Sequence, residues 1–235
     1  LHNTTRRQRQ MCIRDSPPTV YSEMLPSEYS RDSLLKPKKF THYSMGLYVL
    51  FFGSKKKFSD VAHHTIWMSE RYKELLHDIF EKKILTEDFS LYLHRPTATD
   101  DTFAPEGCDS FYVLCPVPNL QGNVQWNSEG PKLKDRIVEA LDKTIMPGLK
   151  ENIEAEFWMT PEDFKNDYRS KYGAGFSVAP IFSQSAWFRY HNKDKKIPNL
   201  YFSAAGSHPG AGIPGVLCSA KVIEKLIIKD FKVSH

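Results

Sequence analysis

The stretch Asn199–Ala220, reading NLYFSAAGSHPGAGIPGVLCSA, constrains the fold more than any other. Leu200–Ala205 is a short apolar run, the pattern of a strand. Gly206, Gly210, Gly212 and Gly215 follow within ten residues, with Pro209 and Pro214 among them. A helix is expected from about residue 214, with Val216, Ala220, Ile223 and Ile227 on one face. Glycine tolerates positive φ and lets backbone approach a ligand closely. A helix start offers free N–H groups and partial positive charge, which suit a phosphate or an electron-rich ring edge. Pro214 sits where a helix start accepts proline. The stretch therefore reads as strand, turn and helix start able to hold a phosphate-bearing cofactor. A tight structural turn with close packing has the same composition, and the GxGxxG pattern of a dinucleotide fold does not open this chain. His208 reads either as a proton carrier or as a hydrogen-bonded turn residue.

Charge narrows the partner classes. The net charge is +4, but residues 1–16 hold Arg6, Arg7, Arg9 and Arg14 against Asp15 alone, so the remainder is nearly neutral. No other basic block has the length or aromatic interleaving of a nucleic-acid site. Lys55–Lys57 form a short run after an apolar stretch, read as a solvated turn with contact to anionic lipid as the alternative. The four cysteines, Cys12, Cys108, Cys115 and Cys218, form no CxxC pair, so no zinc site is expected, and reduced thiols in a cytosolic protein are the default. No apolar run approaches the ~20 residues that span a bilayer.

Residues 1–16 lack helical or strand periodicity and are expected to be a foreign or disordered leader. Residues 17–39, rich in Pro, Ser and Lys, read as a linker. Met45–Phe52 is almost wholly apolar and fits a strand buried on both faces. Met68, Tyr72, Leu75, Leu76, Ile79 and Phe80 make the stripe of an amphipathic helix. Ser90–His94 and Phe111–Val117 read as strands, and Phe157–Met159 as a short one. Leu133, Ile137, Val138, Leu141 and Ile145 mark a second helix that stops near Pro147-Gly148. A third starts at Thr160-Pro161. The region from about 41 to 170 is thus α+β, and 172–198 reads as loop.

Several blocks carry a resemblance. GSHPGAGIPGVLCSAK is similar to the C-terminal signature of the bacterial and fungal type phytoene desaturases. His63-His64-Thr-Ile, the Tyr72–Phe80 helix, Pro96–Asp100, Ala104–Ser110, Tyr112–Pro118 and Gln184–Arg189 resemble further blocks of that family, in the same order, over roughly residues 40–230. The resemblance implies the fold of the flavin-containing amine oxidases, here as a C-terminal fragment. Residues 40–172 would be part of an inserted, mixed-sheet substrate-binding domain. Residues 173–235 would be the C-terminal segment of a split FAD-binding Rossmann-like domain, α/β in class. It implies FAD as cofactor, with Ala205, Gly206 and Ser207 near its ribityl and pyrophosphate part and Gly212, Ile213, Pro214 and Gly215 facing the isoalloxazine ring. Related oxidases often carry an acidic residue where this chain has Ser207.

The implied reaction is desaturation of a long apolar polyene such as phytoene, by a protein cytoplasmic and peripheral to the membrane. Trp187 and Phe188 are the substrate-side candidates, and no catalytic residue is assigned. Met45–Phe52 and Tyr112–Val117 read either as core or as the lining of a polyene tunnel. Asp100, Asp101 and Asp109 read as turn and cap residues rather than proton acceptors. A carotenoid- or lipid-binding module without catalysis, and a flavin oxidase acting on a small polar substrate, are the competing functions. The fragment alone is expected to bind FAD poorly and to be inactive.

Overall fold

The computed structural model describes residues 17–26 and 41–231. The basic stretch 1–16, the part of the expected linker at 27–39, residue 40 and the last four residues lie outside the described residues. The chain divides into two compact units. One is Met45–Asp163, and the other is drawn from the flanking segments Leu1–Ser44 and Phe164–His235.

The Met45–Asp163 unit is built on a five-stranded sheet: β1 (Gly46–Ser54), β2 (His64–Trp67), β3 (Leu91–His94), β4 (Asp109–Val117) and β5 (Ile153–Met159). Their order is β2-β3-β4-β1-β5. The sheet was expected to be mixed, but every neighbouring pair runs antiparallel. The connections from β2 to β3 and from β3 to β4 are long enough for crossovers, the first through a helix, but each returns the chain antiparallel to its neighbour.

The expected strand at Met45–Phe52 is β1, buried along most of its length. Tyr48, Leu50 and Phe52 face across to Cys115, Val113 and Phe111 of β4. Leu93 of β3 lies opposite Val113 on the same face. That face is covered by α2 (Trp126–Lys143), which follows α1 (Tyr72–His77). Leu133, Ile137 and Leu141 of α2 are fully buried and share one apolar cluster with these strand residues. Each such side chain contributes about 1.5–3 kcal/mol by leaving water.

The periodicities locate the elements but miss their ends. Helix α2 starts earlier than Leu133, at Trp126, and stops at Lys143, so Ile145 lies beyond it and is exposed. Helix α1 starts after Met68, at Tyr72, and runs into a π-turn at Asp78–Lys82. Strand β5 starts four residues before Phe157. Strand β2 was not anticipated, because HTIW is too short and too polar to signal by alternation.

The second unit has little regular structure. Helix α3 (Leu149–Asn152) precedes β5, α4 (Pro161–Tyr168) leads into this unit, and α5 (Ile213–Phe231) is its one long helix among the described residues. The expected cap at Thr160 is present: its amide and hydroxyl both donate to Asp163 Oδ2, at 2.6 and 2.8 Å, while its Oγ1 accepts from the Glu162 amide. The expected strand at Leu200–Ala205 is not a ladder strand. Only Tyr201 bridges, antiparallel to Lys193, with Asp194 N donating to Leu200 O and Phe202 N to Asn192 O. A strand exists only where neighbours supply backbone partners, and this run has one short loop beside it. Helix α5 begins where expected, but its covered side runs through Val216, Ser219, Ile223 and Leu226, leaving Ala220 and Ile227 exposed. Buried Ser219 bonds Ser203, 3.0 Å between hydroxyls, which rotates the helix away from its purely apolar stripe. Residues 17–24, expected as linker, form short helical turns with Tyr21 buried against Phe202 and hydrogen-bonded to Asp194.

Candidate functional site

The glycine-rich turn is held by side chains that reach backbone carbonyls. Arg189 is 4% exposed. Its Nε donates to Ala205 O at 2.9 Å, Nη1 to Gln184 O at 3.2 Å, and Nη2 to Phe176 O and Val178 O at 3.1 and 3.2 Å. Among its described partners there is no carboxylate, and burial pushes the guanidinium below its usual range. Asn192 Nδ2 donates to Phe202 O and His208 O at 3.0 and 2.8 Å. A buried guanidinium satisfied only by carbonyls leaves net positive potential behind the turn. Sequence reasoning passed over both residues; the signal available was a charged side chain inside the apolar Trp187-Phe188-Arg189 block.

The cofactor candidates fall into two groups. Ala205, Gly206 and Ser207 are buried. The Ser207 hydroxyl is used within the turn, donating to Ala204 O at 2.9 Å and accepting from Ala204 N at 3.1 Å. Gly212, Ile213 and Pro214 are exposed at the start of α5. Gly212 has φ +90°, a conformation that disfavours side chains. Gly215 is required by close approach: a Cβ there would stand 2.6 Å from Gly210 O. His208 behaves as a turn residue, with Nδ1 2.9 Å from Ala186 O and its amide donating to Tyr190 O.

Trp187 and Phe188 lie beside this turn. The Trp187 ring is 6.2 Å from that of His208. Trp187 and Phe188 line a cleft of about 430 Å³ with Tyr21, Arg189, Lys193 and Asp194. Phe182 is 87% and Trp187 67% exposed.

In the Met45–Asp163 unit, the sheet face away from α2 carries aromatic side chains. Register places Phe51 between Tyr112 and Phe157, and His94 opposite both Tyr112 and His64. Phe51 stacks on Phe157 at 4.5 Å, and His94 and Tyr92 each approach Tyr112. Ile66 is 74% and Phe157 59% exposed, so apolar surface of this unit is open there. Residues 45–52 and 112–117 are therefore both core and surface: even-numbered β1 residues enter the core, while Phe51 and Tyr112 face outward. Burial, then the neighbouring His63 and His64, hold the His94 imidazole below its usual range.

The acidic and basic candidates are structural. Asp109 accepts from the Phe58 amide, Arg95 Nε and Thr97 Oγ1. Asp100 caps the turn at Thr102. Lys55 pairs with Glu154, Lys57 with Asp101, and Lys56 donates to Pro147 O. Cys115 is buried, which pushes its thiol up to about 12; Cys108 and Cys218 are also free. No helix among the described residues is long and apolar enough to cross a membrane.

No protein-family model matches the chain. Curated relatives do. It is 50% identical over 218 residues to a lycopene-forming phytoene desaturase of Pseudescherichia vulneris, covering 91% of this chain and 44% of that protein. It is 47% identical over 215 residues to the corresponding protein of Pantoea ananas, covering 90% and 43%. With a neurosporene-forming phytoene desaturase of Rhodobacter capsulatus it shares 47% over 190 residues, covering 79% and 36%. Among solved structures, an oxidoreductase from Methanosarcina mazei overlays with a TM-score of 0.44 at 14% identity, covering 79% of this chain and 35% of that one. The chain spans about two fifths of the length of the curated relatives it matches. Over about nine-tenths of its residues, this chain is 46–50% identical to proteins named phytoene desaturase.

Proposed function

We propose that this chain is part of an FAD-dependent carotenoid desaturase that removes hydrogens across carbon–carbon bonds of phytoene or a similar long apolar polyene. The observation that carries the reading is 46–50% identity to proteins named phytoene desaturase across about nine-tenths of the chain. Residues 173–235 would be the returning segment of a split Rossmann-like FAD domain. Parallel neighbours from elsewhere in the longer protein would then complete the strand at Leu200–Ala205, which has one loop partner here.

The turn suits such a cofactor on three counts. The buried charge of Arg189 favours a phosphate near Ala205. Gly212 and Gly215 keep side chains out of the approach. The exposed start of α5 offers its positive end to an electron-rich ring edge. Ala205, Gly206 and Ser207 would lie by the ribityl and pyrophosphate part, with the Ser207 hydroxyl closing the turn. Gly212, Ile213, Pro214 and Gly215 would face the ring. When bound, the flavin supplies the redox chemistry, accepting the hydride. The protein's part is to hold an apolar substrate and exclude water, with Trp187, Phe188 and the aromatic sheet face as the surfaces suited to a polyene.

Peripheral membrane contact at the cytoplasmic face belongs to the same reading, since the substrate is lipid-soluble. Exposed Phe182 and Trp187, with exposed Lys195 and Lys196 lining the same cleft as Trp187, make the aromatic and basic pairing that suits an anionic interface. The test is conversion by the full-length parent protein: phytoene in liposomes, supplied FAD, and chromatographic detection of products with longer conjugation. Coloured polyene products are expected. Flavin-free folded protein that binds carotenoid without converting it, or turnover of amines but not phytoene, would overturn the reading.

A further inference from the structure

Three imidazoles converge at the edge of the sheet, beside the Phe51–Tyr112 pairing of the aromatic face. His64 of β2 and His94 of β3 are directly opposite in the ladder. β2 is the sheet's edge strand. His63 immediately precedes β2, and its carbonyl accepts from Arg95 N at 2.9 Å, which pins it beside the end of β3. The three rings lie 4.3, 4.7 and 5.3 Å apart, centroid to centroid. One ring nitrogen from each falls within 4.8 Å of the other two.

The outer nitrogens are already oriented. Thr99 Oγ1 bonds His63 Nδ1, and Tyr92 Oη lies 2.6 Å from His64 Nδ1. A hydroxyl accepting from Nδ1–H leaves Nε2 with a lone pair, the arrangement by which outer partners fix the ligating tautomer in metal sites. His63 Nε2 and His94 Nε2 stand 2.7 Å apart and share one hydrogen. The remaining nitrogen of His94, Nδ1, is buried without a partner among the described residues. The donor set is three nitrogens, with no carboxylate or thiolate in the cluster. That composition selects Zn²⁺, Co²⁺, Ni²⁺ or Cu²⁺ over Mg²⁺ and Ca²⁺.

We propose that His63, His64 and His94 form a divalent transition-metal site that clamps the edge strand β2 to β3, with a fourth position open to water. Exposed His64 provides the entry path. The metal replaces the hydrogen between His63 and His94, which moves to His94 Nδ1, so both rings stay neutral and the site carries the +2 charge of the ion. The Nε2–Nε2 distance then opens from 2.7 Å to about 3.3 Å, as tetrahedral bonds of roughly 2.0–2.1 Å require. The proposal is independent of the desaturase reading, because it needs neither flavin nor polyene.

The test is titration of the 235-residue chain with Zn²⁺ alone by calorimetry, and with Co²⁺ alone by visible absorption. One metal per chain is expected, with nitrogen-rich tetrahedral Co²⁺ bands and no heat from Mg²⁺. His64→Gln, at an exposed position that leaves the fold intact, should weaken Zn²⁺ at least tenfold. Thr99→Ala, which frees the His63 tautomer, should weaken it by roughly 10-fold. His77→Gln, outside the cluster, should change nothing. Absence of binding to the wild-type chain would overturn the proposal. So would Zn²⁺ affinity that is the same in His64→Gln as in wild type, which would mark adventitious binding at other histidines.

Discussion

The sheet unit and the glycine-turn unit are stabilised in opposite ways. In Met45–Asp163, backbone groups satisfy one another in ladders and α2 covers one face with Leu133, Ile137 and Leu141. Around residues 176–208, few backbone groups meet in ladders, and Arg189 and Asn192 between them bond six carbonyls. The first kind of order comes from many small apolar contributions. The second hangs on two polar side chains, so it is more brittle and more easily reshaped by what binds there.

Arg189→Leu breaks the comparison most severely. It leaves four carbonyls without their donor and should cost about 4 kcal/mol, with hydrogen exchange rising first across residues 176–208. Leu141→Ala should cost about 3 kcal/mol through the cavity it leaves, with exchange rising first in α2 and β4. If both substitutions loosened the same peptides, the two regions would not differ as described. Asn192→Ala removes two bonds and should cost about 2 kcal/mol, measured by denaturant midpoint. Gly212→Ala should cost about 1 kcal/mol, purely from backbone strain, because the nearest atom to its new Cβ is 4.0 Å away.

The smallest effect is a pH dependence in the sheet unit. The Lys82 hydrogen bond first, then that of Arg71, holds the Asp78 carboxyl below its usual range against the opposing effect of burial. A depressed carboxyl contributes stability above its unfolded value and loses it as pH falls through the folded one. Asp78→Asn should therefore flatten the acid limb of the melting-temperature profile below the ordinary carboxylate range and leave its alkaline limb unchanged. An unaltered acid limb would show that the pair contributes nothing.

The same contrast explains what was legible in the sequence. Apolar runs and stripes exposed β1, β4 and α2, because burial on a regular element repeats with the element's period. Their ends shifted, since caps and turns rather than periodicity decide where an element stops. Strand β2 escaped because four residues cannot display a period. Leu200–Ala205 was misjudged because a strand's pattern says nothing about whether a neighbour is present. The turn's glycines were legible, but its anchors were not: Arg189 and Asn192 act through carbonyls, which every residue has. The histidine cluster was invisible for a related reason. His94 lies thirty residues from His63-His64 and meets them only through the β2–β3 register.

We propose that residues 205–215 hold the flavin of a carotenoid desaturase. The most direct test is the flavin absorption of the purified full-length parent, wild type beside Gly215→Val. A flavin spectrum near one equivalent is expected in the wild type. Loss of flavin is expected in the variant while the protein stays folded, because the new side chain collides with Gly210 and reshapes the turn. Equal flavin content in both proteins, or none in the wild type, would contradict it.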